Sequence, residues 1–477
     1  MKISNIFKGD KGIWMVFFFL CVISIVEVFS ASSGLTYKKG NFIGPIIYHS
    51  GTVIAGLVVA VIAMNIPCRY FKLLTPGLLI VSFLTLLWVL FAGEDINGAQ
   101  RVISILGFTF QPSEIAKGTM ILAEAQILSA MQHEDAADRK AFGFVMALAV
   151  PICFLIMLEN LSTALLLAIV VFLMMFIGRV PYVQLGKLMG GVTAVAALGV
   201  MLIMLVGHTK SEEEEAPVKT EVIDVRTTAD STDENAAEKK KDEGTMAKMF
   251  HRADTWKARI VKFFDNEEVA PKDYDLDKDA QVAHANIAIV SSNVIGQGPG
   301  NSVERDFLAQ AFSDFIYAII IEELGIIGAG FVVLLYIVLL FRTARIANRC
   351  ENYFPALLVM GLALLLVVQA TFNMFVAVGL MPVTGQPLPL ISKGGTSTII
   401  NCAYIGAILS VSRSAKKKAA EEEIFLLWRE ECGGRSENSD IKKQEHHSCL
   451  YAAILPPHSS LLKYISSIFP LRLRCFS

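Results

Sequence analysis

The sequence predicts an all-α integral membrane protein of about ten transmembrane helices, with both termini cytoplasmic and one large extracytoplasmic loop between the seventh and eighth spans. Three observations lead there. Apolar residues make up 54% of the 477 positions and charged residues only 18%, with a mean hydropathy of +0.54, where soluble domains carry roughly 25% charged residues. The apolar residues gather in runs long enough to cross a hydrocarbon layer of ~30 Å as helices. Lys and Arg are divided unevenly between the loops, and that bias sets orientation.

The runs lie at 13–32, 44–65, 74–92, 112–131, 141–158, 161–178, 188–206, 315–341, 355–380 and 395–412. Lys2, Lys8 and Lys11 ahead of the first run, and Ala31-Ser32-Ser33-Gly34 behind it, have the form of a signal peptide. Nine further spans follow, so the first is read as an uncleaved span. With the N-terminus inside, the cytoplasmic side collects Arg69, Lys72, Arg139, Lys140, Arg179, Lys187, Arg342, Arg345, Arg349, Arg413 and Lys416-Lys417-Lys418, whereas the short outer loops hold only Lys38, Lys39, Arg101 and Lys393. Residues 207–313 then form the large outer loop. Its stretch 211–243 is charged and almost free of aromatics, the composition of a disordered insert. Its second part, 246–310, spaces Met249, Phe250, Trp256, Ile260, Phe263 and Phe264 as an amphipathic segment for the membrane surface. Residues 414–477 are expected to be a disordered cytoplasmic tail. The eight cysteines show no metal-ligand spacing and read as free thiols. The net charge of −2 names no partner by itself, and no nucleic acid is expected.

A carboxylate within a span is costly unless paired, hydrated or protonated, so each one is a functional candidate. Asp314 stands at the outer boundary of the eighth span, and Glu322 lies about 12 Å deeper at 1.5 Å per residue. Asp314 is either a helix N-cap type of carboxylate or a site residue. Glu322 and Glu323 point about 100° apart, so one is expected to line a cavity and the other to be structural. The fourth span enters at Gln111-Pro112-Ser113-Glu114-Ile115-Ala116-Lys117. Glu114 and Lys117 share one helix face, as an internal ion pair or as the charged wall of a water-filled cavity in which Lys117 meets an anion. Arg101, in Asn97-Gly98-Ala99-Gln100-Arg101, is a phosphate-binding fork or a headgroup anchor. From Met381 to Ser397 prolines and glycines interrupt an apolar stretch that includes Ser392 and Lys393. Such backbone survives at membrane depth only inside protein or lining a cavity; otherwise it is a tight outer hairpin. These features converge on the outer face, where carboxylates and cations suit an anionic, phosphate-bearing, lipid-linked substrate. A transporter more often places its key groups at the midplane, on repeated halves.

Four stretches together resemble the SEDS family (shape, elongation, division and sporulation) of peptidoglycan glycosyltransferases, over about residues 13–413: Asn97 to Arg101, Phe110 to Lys117, Asp314-Phe315-Ile316-Tyr317 with Glu322-Glu323-Leu324-Gly325, and Pro382-Val383-Thr384-Gly385 through Gly394-Gly395-Thr396-Ser397. The resemblance implies a ten-span fold that polymerises lipid II, an undecaprenyl-pyrophosphoryl disaccharide-pentapeptide, into glycan strands at the outer face of the cytoplasmic membrane, with inversion at the anomeric carbon. It makes Asp314 the general base. It matches Glu114 and Lys117 to the family's cavity pair and Arg101 to its basic loop residue, and has Lys117, Arg101 and Lys393 offset the pyrophosphate charge. Gln111, Glu322 and Ser392 complete the expected substrate-binding set. No metal-ligand set is evident, although a divalent cation, Mg or Mn, would suit pyrophosphate departure. The implied partners are lipid II, a class B penicillin-binding transpeptidase and divisome proteins, because Pro382 to Pro389 is closer to the division branch of the family than to its elongation branch. A lipid II flippase, a polymerase of the elongation branch and a non-catalytic scaffold for the transpeptidase are the competing readings; the flippase would need charges along the inner half, where few occur. The chain departs from the family pattern at Val102 and Lys393, where aromatics are usual, and at Asn160, where an aspartate is usual. The insert at 211–243 and the tail beyond 430 are not typical of it.

Overall fold

A computed structural model of the chain describes residues 8–39, 44–92, 94–96, 99–105, 108–133, 137–206, 280–308 and 311–433. The acidic insert, the expected amphipathic stretch up to 279 and the tail beyond 433 lie outside the described residues. The chain divides into two compact units, residues 1–412 and 413–477.

Helices stand at each of the predicted spans: α1 (Lys11–Lys39), α2 (Gly44–Asn65), α3 (Cys68–Ala92), α4 (Pro112–Ala130), α5 (Arg139–Glu159), α6 (Leu161–Ile177) and α7 (Tyr182–Val206), then the short α8 (Ala280–Ser291) and a 3-10 turn at Glu304–Asp306, then α9 (Ile316–Ala347), α10 (Tyr353–Ala377) and α11 (Thr396–Gly433). Six of them, α1, α2, α3, α5, α9 and α10, are by themselves long and apolar enough to cross a membrane. α4 is interrupted by Glu114, Lys117 and Glu124, all buried. α10 packs against α4, α6 and α9, and α4 packs in turn against α3 and α5, so these two helices carry the centre of the bundle.

Polar contacts tie the helix ends together. Asp10, ahead of α1, accepts a fork of hydrogen bonds from Arg342, late in α9, with Nη2 at 2.8 and 2.7 Å and Nε at 3.0 Å. α1 and α9 therefore run antiparallel, and this end is the one the Lys and Arg distribution assigns to the cytoplasm. Asp314, the start of α4 and the irregular stretch 378–395 share the opposite end.

The structure departs from the sequence expectations in three places. Between α3 and α4 the chain forms a small antiparallel sheet, β1 (Glu94–Ile96), β2 (Ala99–Ile105) and β3 (Phe108–Phe110), in that order, with Ile103 opposite Phe110. A loop was expected there; Phe108-Thr109-Phe110 alternates as a strand does, but over too few residues to stand out. Residues 413–433 are helical where disorder was expected from 414 onward. The Ala, Lys and Glu residues of 415–423 are strong helix formers, and Lys417 and Lys418 stand four residues before Glu421 and Glu422.

The third departure is in α9, which breaks at Gly325 (φ 68°, ψ −173°). The preceding chain folds down into the break. The Gln297 and Gly298 amides donate to the Glu322 and Glu323 carbonyls at 3.0 and 2.8 Å, and the Ile327 amide donates to the Val294 carbonyl at 3.3 Å. A Cβ on Gly325 would overlap the Val294 carbonyl, and one on Gly296 (φ 84°) the Glu323 carbonyl. Both the backbone angle and the close approach require glycine at these two positions.

Candidate functional site

Asp314 sits in a turn one residue ahead of Phe315, the N-cap of α9, and is half-buried. The turn is fixed through its carbonyls. The Phe312 carbonyl accepts from the Lys393 amide at 3.0 Å, that of Ser313 accepts from Ser392 Oγ at 2.6 Å, and that of Asp314 accepts from Asn373 Nδ2 at 2.8 Å. Asn373 Nδ2 also reaches the Gln386 carbonyl at 2.7 Å, and Gln386 Nε2 donates to Thr163 Oγ1 on α6 at 2.7 Å. Three successive carbonyls are thus held by α10 and the 378–395 stretch, which is itself tied to α6. Ser313 Oγ donates to Asp314 Oδ1 at 3.0 Å.

Lys393 lies against the same turn, its ammonium 4.9 Å from the centre of the Phe312 ring. Burial lowers its proton affinity below that of an ordinary lysine. Ser392, an expected substrate contact, has a different placement: it is buried, and its hydroxyl bridges the Leu388 amide (2.8 Å) and the Ser313 carbonyl. It fastens the stretch to the turn.

Lys117 and Glu114 form an ion pair at 2.9 Å, with side chains 0% and 2% exposed. Lys117 Nζ also donates to Gln369 Oε1 on α10 at 2.8 Å, and Gln369 Nε2 donates to the Pro387 carbonyl at 3.1 Å. Of the two possibilities open in the sequence, this geometry is the internal ion pair: a strut from α4 through α10 to the 378–395 stretch. Gln111, half-buried at the N-cap of α4, donates to Ser113 Oγ at 3.1 Å. Arg101 lies in β2.

One of Glu322 and Glu323 was expected to line a cavity, but both are fully buried against the chain that enters the α9 break. Glu322 accepts from the Ser302 hydroxyl and from the Val303 amide at 2.9 Å. Glu323 accepts from the Ser30 hydroxyl, the Gly300 amide at 3.0 Å and the Ser302 amide at 3.3 Å, with Arg305 Nη1 4.0 Å away. The 100° between them is accommodated because successive groups of 300–303 meet the two carboxylates, with Ser302 reaching Glu322 through its hydroxyl and Glu323 through its amide. Asn160, which departs from the family's aspartate, closes α5 and caps α6, its Oδ1 accepting from the Ser162 amide at 3.0 Å. Asparagine caps as well as aspartate, so this local role needs no charge.

Asn373, Gln369, Gln386 and Thr163 are neutral, so the charge pattern of the sequence does not single them out. Gln369 and Asn373 stand four apart on an otherwise apolar helix, a pattern visible in the sequence. Among the described residues no group of three or more His, Cys, Asp or Glu side chains gathers, so no all-protein cage for a divalent cation is built there.

A bundle of long apolar helices, with a half-buried aspartate in a fixed turn at one end and a lysine packed against that turn, defines a multi-pass membrane protein. Residues 10–213 and 244–417 match the model of the FtsW/RodA/SpoVE family, described as "Cell cycle protein", and the chain belongs to that family. It is 29% identical over 412 residues to the "Probable peptidoglycan glycosyltransferase FtsW" of Halomonas elongata, covering 85% of this chain and 90% of that protein. It is 26% identical over 410 residues to the protein so named in Pseudomonas fluorescens, with 84% and 87% covered. Among solved structures it is similar to a chain of a peptidoglycan synthase complex described as coordinating polymerization and crosslinking (TM-score 0.60, 22% identity, covering 85% of this chain and 98% of that one). It is also similar to the rod shape determining protein RodA of Thermus thermophilus (TM-score 0.55, 22% identity, 86% and 99% covered). At such identity these likenesses show the shared fold.

Proposed function

We propose that this protein polymerises lipid II into glycan strands at the outer face of the cytoplasmic membrane, during septal wall synthesis. Its family, and relatives carrying a glycosyltransferase name along most of its length, make it an enzyme of the peptidoglycan glycosyltransferase class. The observation that carries the finer reading is the Asp314 turn, whose three held carbonyls fix the position of a half-buried carboxylate. In this reading the carboxylate takes the proton of an acceptor 4-hydroxyl as that oxygen attacks the anomeric carbon of the lipid-linked donor. The bond from that carbon to the pyrophosphate oxygen breaks, the lipid pyrophosphate leaves with the electron pair, and the configuration inverts. Lys393, beside the same turn, and Arg101 in β2 supply the positive charge that stabilises the departing group. Lys117 supports the site from within the bundle. A magnesium ion commonly uses one or two carboxylates together with substrate phosphates; bound with the pyrophosphate it would offset charge on the departing group, and no step above depends on it.

A class B penicillin-binding transpeptidase is the proposed partner, supported by likeness to a chain from a complex coordinating polymerization with crosslinking. The FtsW name of the curated relatives favours division over elongation, and with it divisome partners and the division site. The test is polymerisation of labelled lipid II by the purified protein with its transpeptidase, wild type against Asp314→Asn. A general base contributes about 10²–10⁴-fold, so at least ~100-fold slower polymer formation with an unchanged unfolding temperature is expected. An Asp314→Asn protein that polymerises at the wild-type rate would take the base role from Asp314, and a wild-type protein that forms no polymer would leave flipping or scaffolding as the better account.

A further inference from the structure

Ser24 on α1 and His49 on α2 are buried polar residues that the mechanism above does not use. The Ser24 hydroxyl has one hydrogen and gives it to the Ile391 carbonyl at 2.7 Å. The 2.8 Å contact between Ser24 Oγ and His49 Nε2 therefore runs the other way, with the imidazole N–H donating to the hydroxyl. The result is a directed chain from His49 through Ser24 to Ile391.

Ile391 begins three consecutive anchored residues. Its carbonyl is held from α1, the Ser392 hydroxyl holds the Ser313 carbonyl, and the Lys393 amide holds the Phe312 carbonyl. Leu390, just before them, is buried in the left-handed region at φ 68°. A side chain with a Cβ disfavours that conformation, and it persists only where the surroundings impose it. The bond from Ser24 is a restraint on the very next residue.

We infer that His49 and Ser24 are positioning residues for glycosyl transfer, acting through the Ile391 carbonyl to keep the Leu390 turn wound and Lys393 against the turn that carries Asp314. This rests on the polymerase reading. Ser24→Ala removes the donor to Ile391, so the turn relaxes and Lys393 leaves the Asp314 turn. His49→Leu removes the donor behind Ser24, while His49→Gln keeps an N–H that can replace it.

Two readouts test this on the full-length protein with its transpeptidase. In lipid II polymerisation, Ser24→Ala and His49→Leu are expected to lower kcat about tenfold or more with KM little changed, and His49→Gln to recover most of the loss. Added to Lys393→Ala, Ser24→Ala should lower kcat by less than it does alone, because both act through one group. Hydrogen exchange, which needs no turnover, should rise at the Ser392 and Lys393 amides, bonded to the Leu388 and Phe312 carbonyls in the wild type. If Ser24→Ala fails to fold, the His49→Leu and His49→Gln pair carries the same comparison. Wild-type protein that makes no polymer overturns the polymerase reading. An active wild type whose Ser24→Ala or His49→Leu variant keeps full kcat, or whose amide exchange at 392 and 393 is unmoved, overturns the positioning role.

Discussion

Lys117→Met separates a buried strut from an anion-binding cation. Lys117 Nζ lies 2.9 Å from Glu114 Oε1 and 2.8 Å from Gln369 Oε1, and the ion pair is 0% and 2% exposed. Removing the ammonium leaves a buried carboxylate without its counter-charge, at a cost of about 3–5 kcal/mol. It also leaves the Gln369 acceptor without its donor, worth about 1–3 kcal/mol for a buried polar atom. The two overlap because one ammonium serves both, so about 3–5 kcal/mol in total is expected. Glu114→Gln combined with Lys117→Met removes both charges, and the double variant should lose only about 1 kcal/mol relative to wild type, since neutral replacements of buried pairs are often tolerated. The double variant is then about 2–4 kcal/mol more stable than Lys117→Met alone, whereas at independent positions a second destabilising change would add to the loss. The assay is thermal unfolding of detergent-solubilised protein, read beside lipid II polymerisation. A Lys117→Met protein as stable as wild type but unable to polymerise would refute the strut and return Lys117 to the substrate.

Two further outcomes follow from other parts of the structure. Gly325→Ala forces a side chain into a left-handed backbone, about 1–2 kcal/mol, and against the Val294 carbonyl; it should lower the unfolding temperature, whereas Gly330→Ala, with open space around it, should not, and equal shifts would refute the role of the break. Burial makes Lys393 lose its proton at lower pH than an ordinary lysine at ~10.4. Arginine stays charged throughout, so Lys393→Arg should carry the alkaline limb of kcat/KM to higher pH, and a limb at the same pH in both proteins would show that Lys393 is not the titrating cation.

The helices were legible because a run of apolar residues long enough to span a bilayer is an unambiguous one-dimensional signal. Asp314 and Lys393 were legible because charge at the edge of such a run is rare. Their support was not: Asn373, Gln386, Ser392 and Ser24 are neutral, and their importance lies in which carbonyl each meets across the fold. Lys117 was visible as a charge, yet its burial depends on Gln369, 252 residues away. Glu322 and Glu323 were misread for a related reason. Helical spacing fixes the angle between two side chains, but not that a preceding loop comes down to meet both. The small sheet and the helix of residues 413–433 rest on local pattern and propensity, which spans outweigh when the chain is read for hydropathy.

The break in α9 has a consequence for how the chain enters the membrane. A carboxylate in the middle of a span costs about 2.5–3.5 kcal/mol on insertion scales, and α9 carries two, followed at once by a glycine out of helical conformation. As an isolated segment it is a poor candidate for partition into lipid. Its remedy is encoded upstream: Gly296 to Arg305 is synthesised before Glu322 and Glu323 emerge, and supplies amides to both carboxylates and the Ser302 hydroxyl to Glu322. Order of synthesis and order of satisfaction therefore agree, and the ninth helix becomes a stable resident of the bilayer only once the segment that precedes it has folded back to receive it.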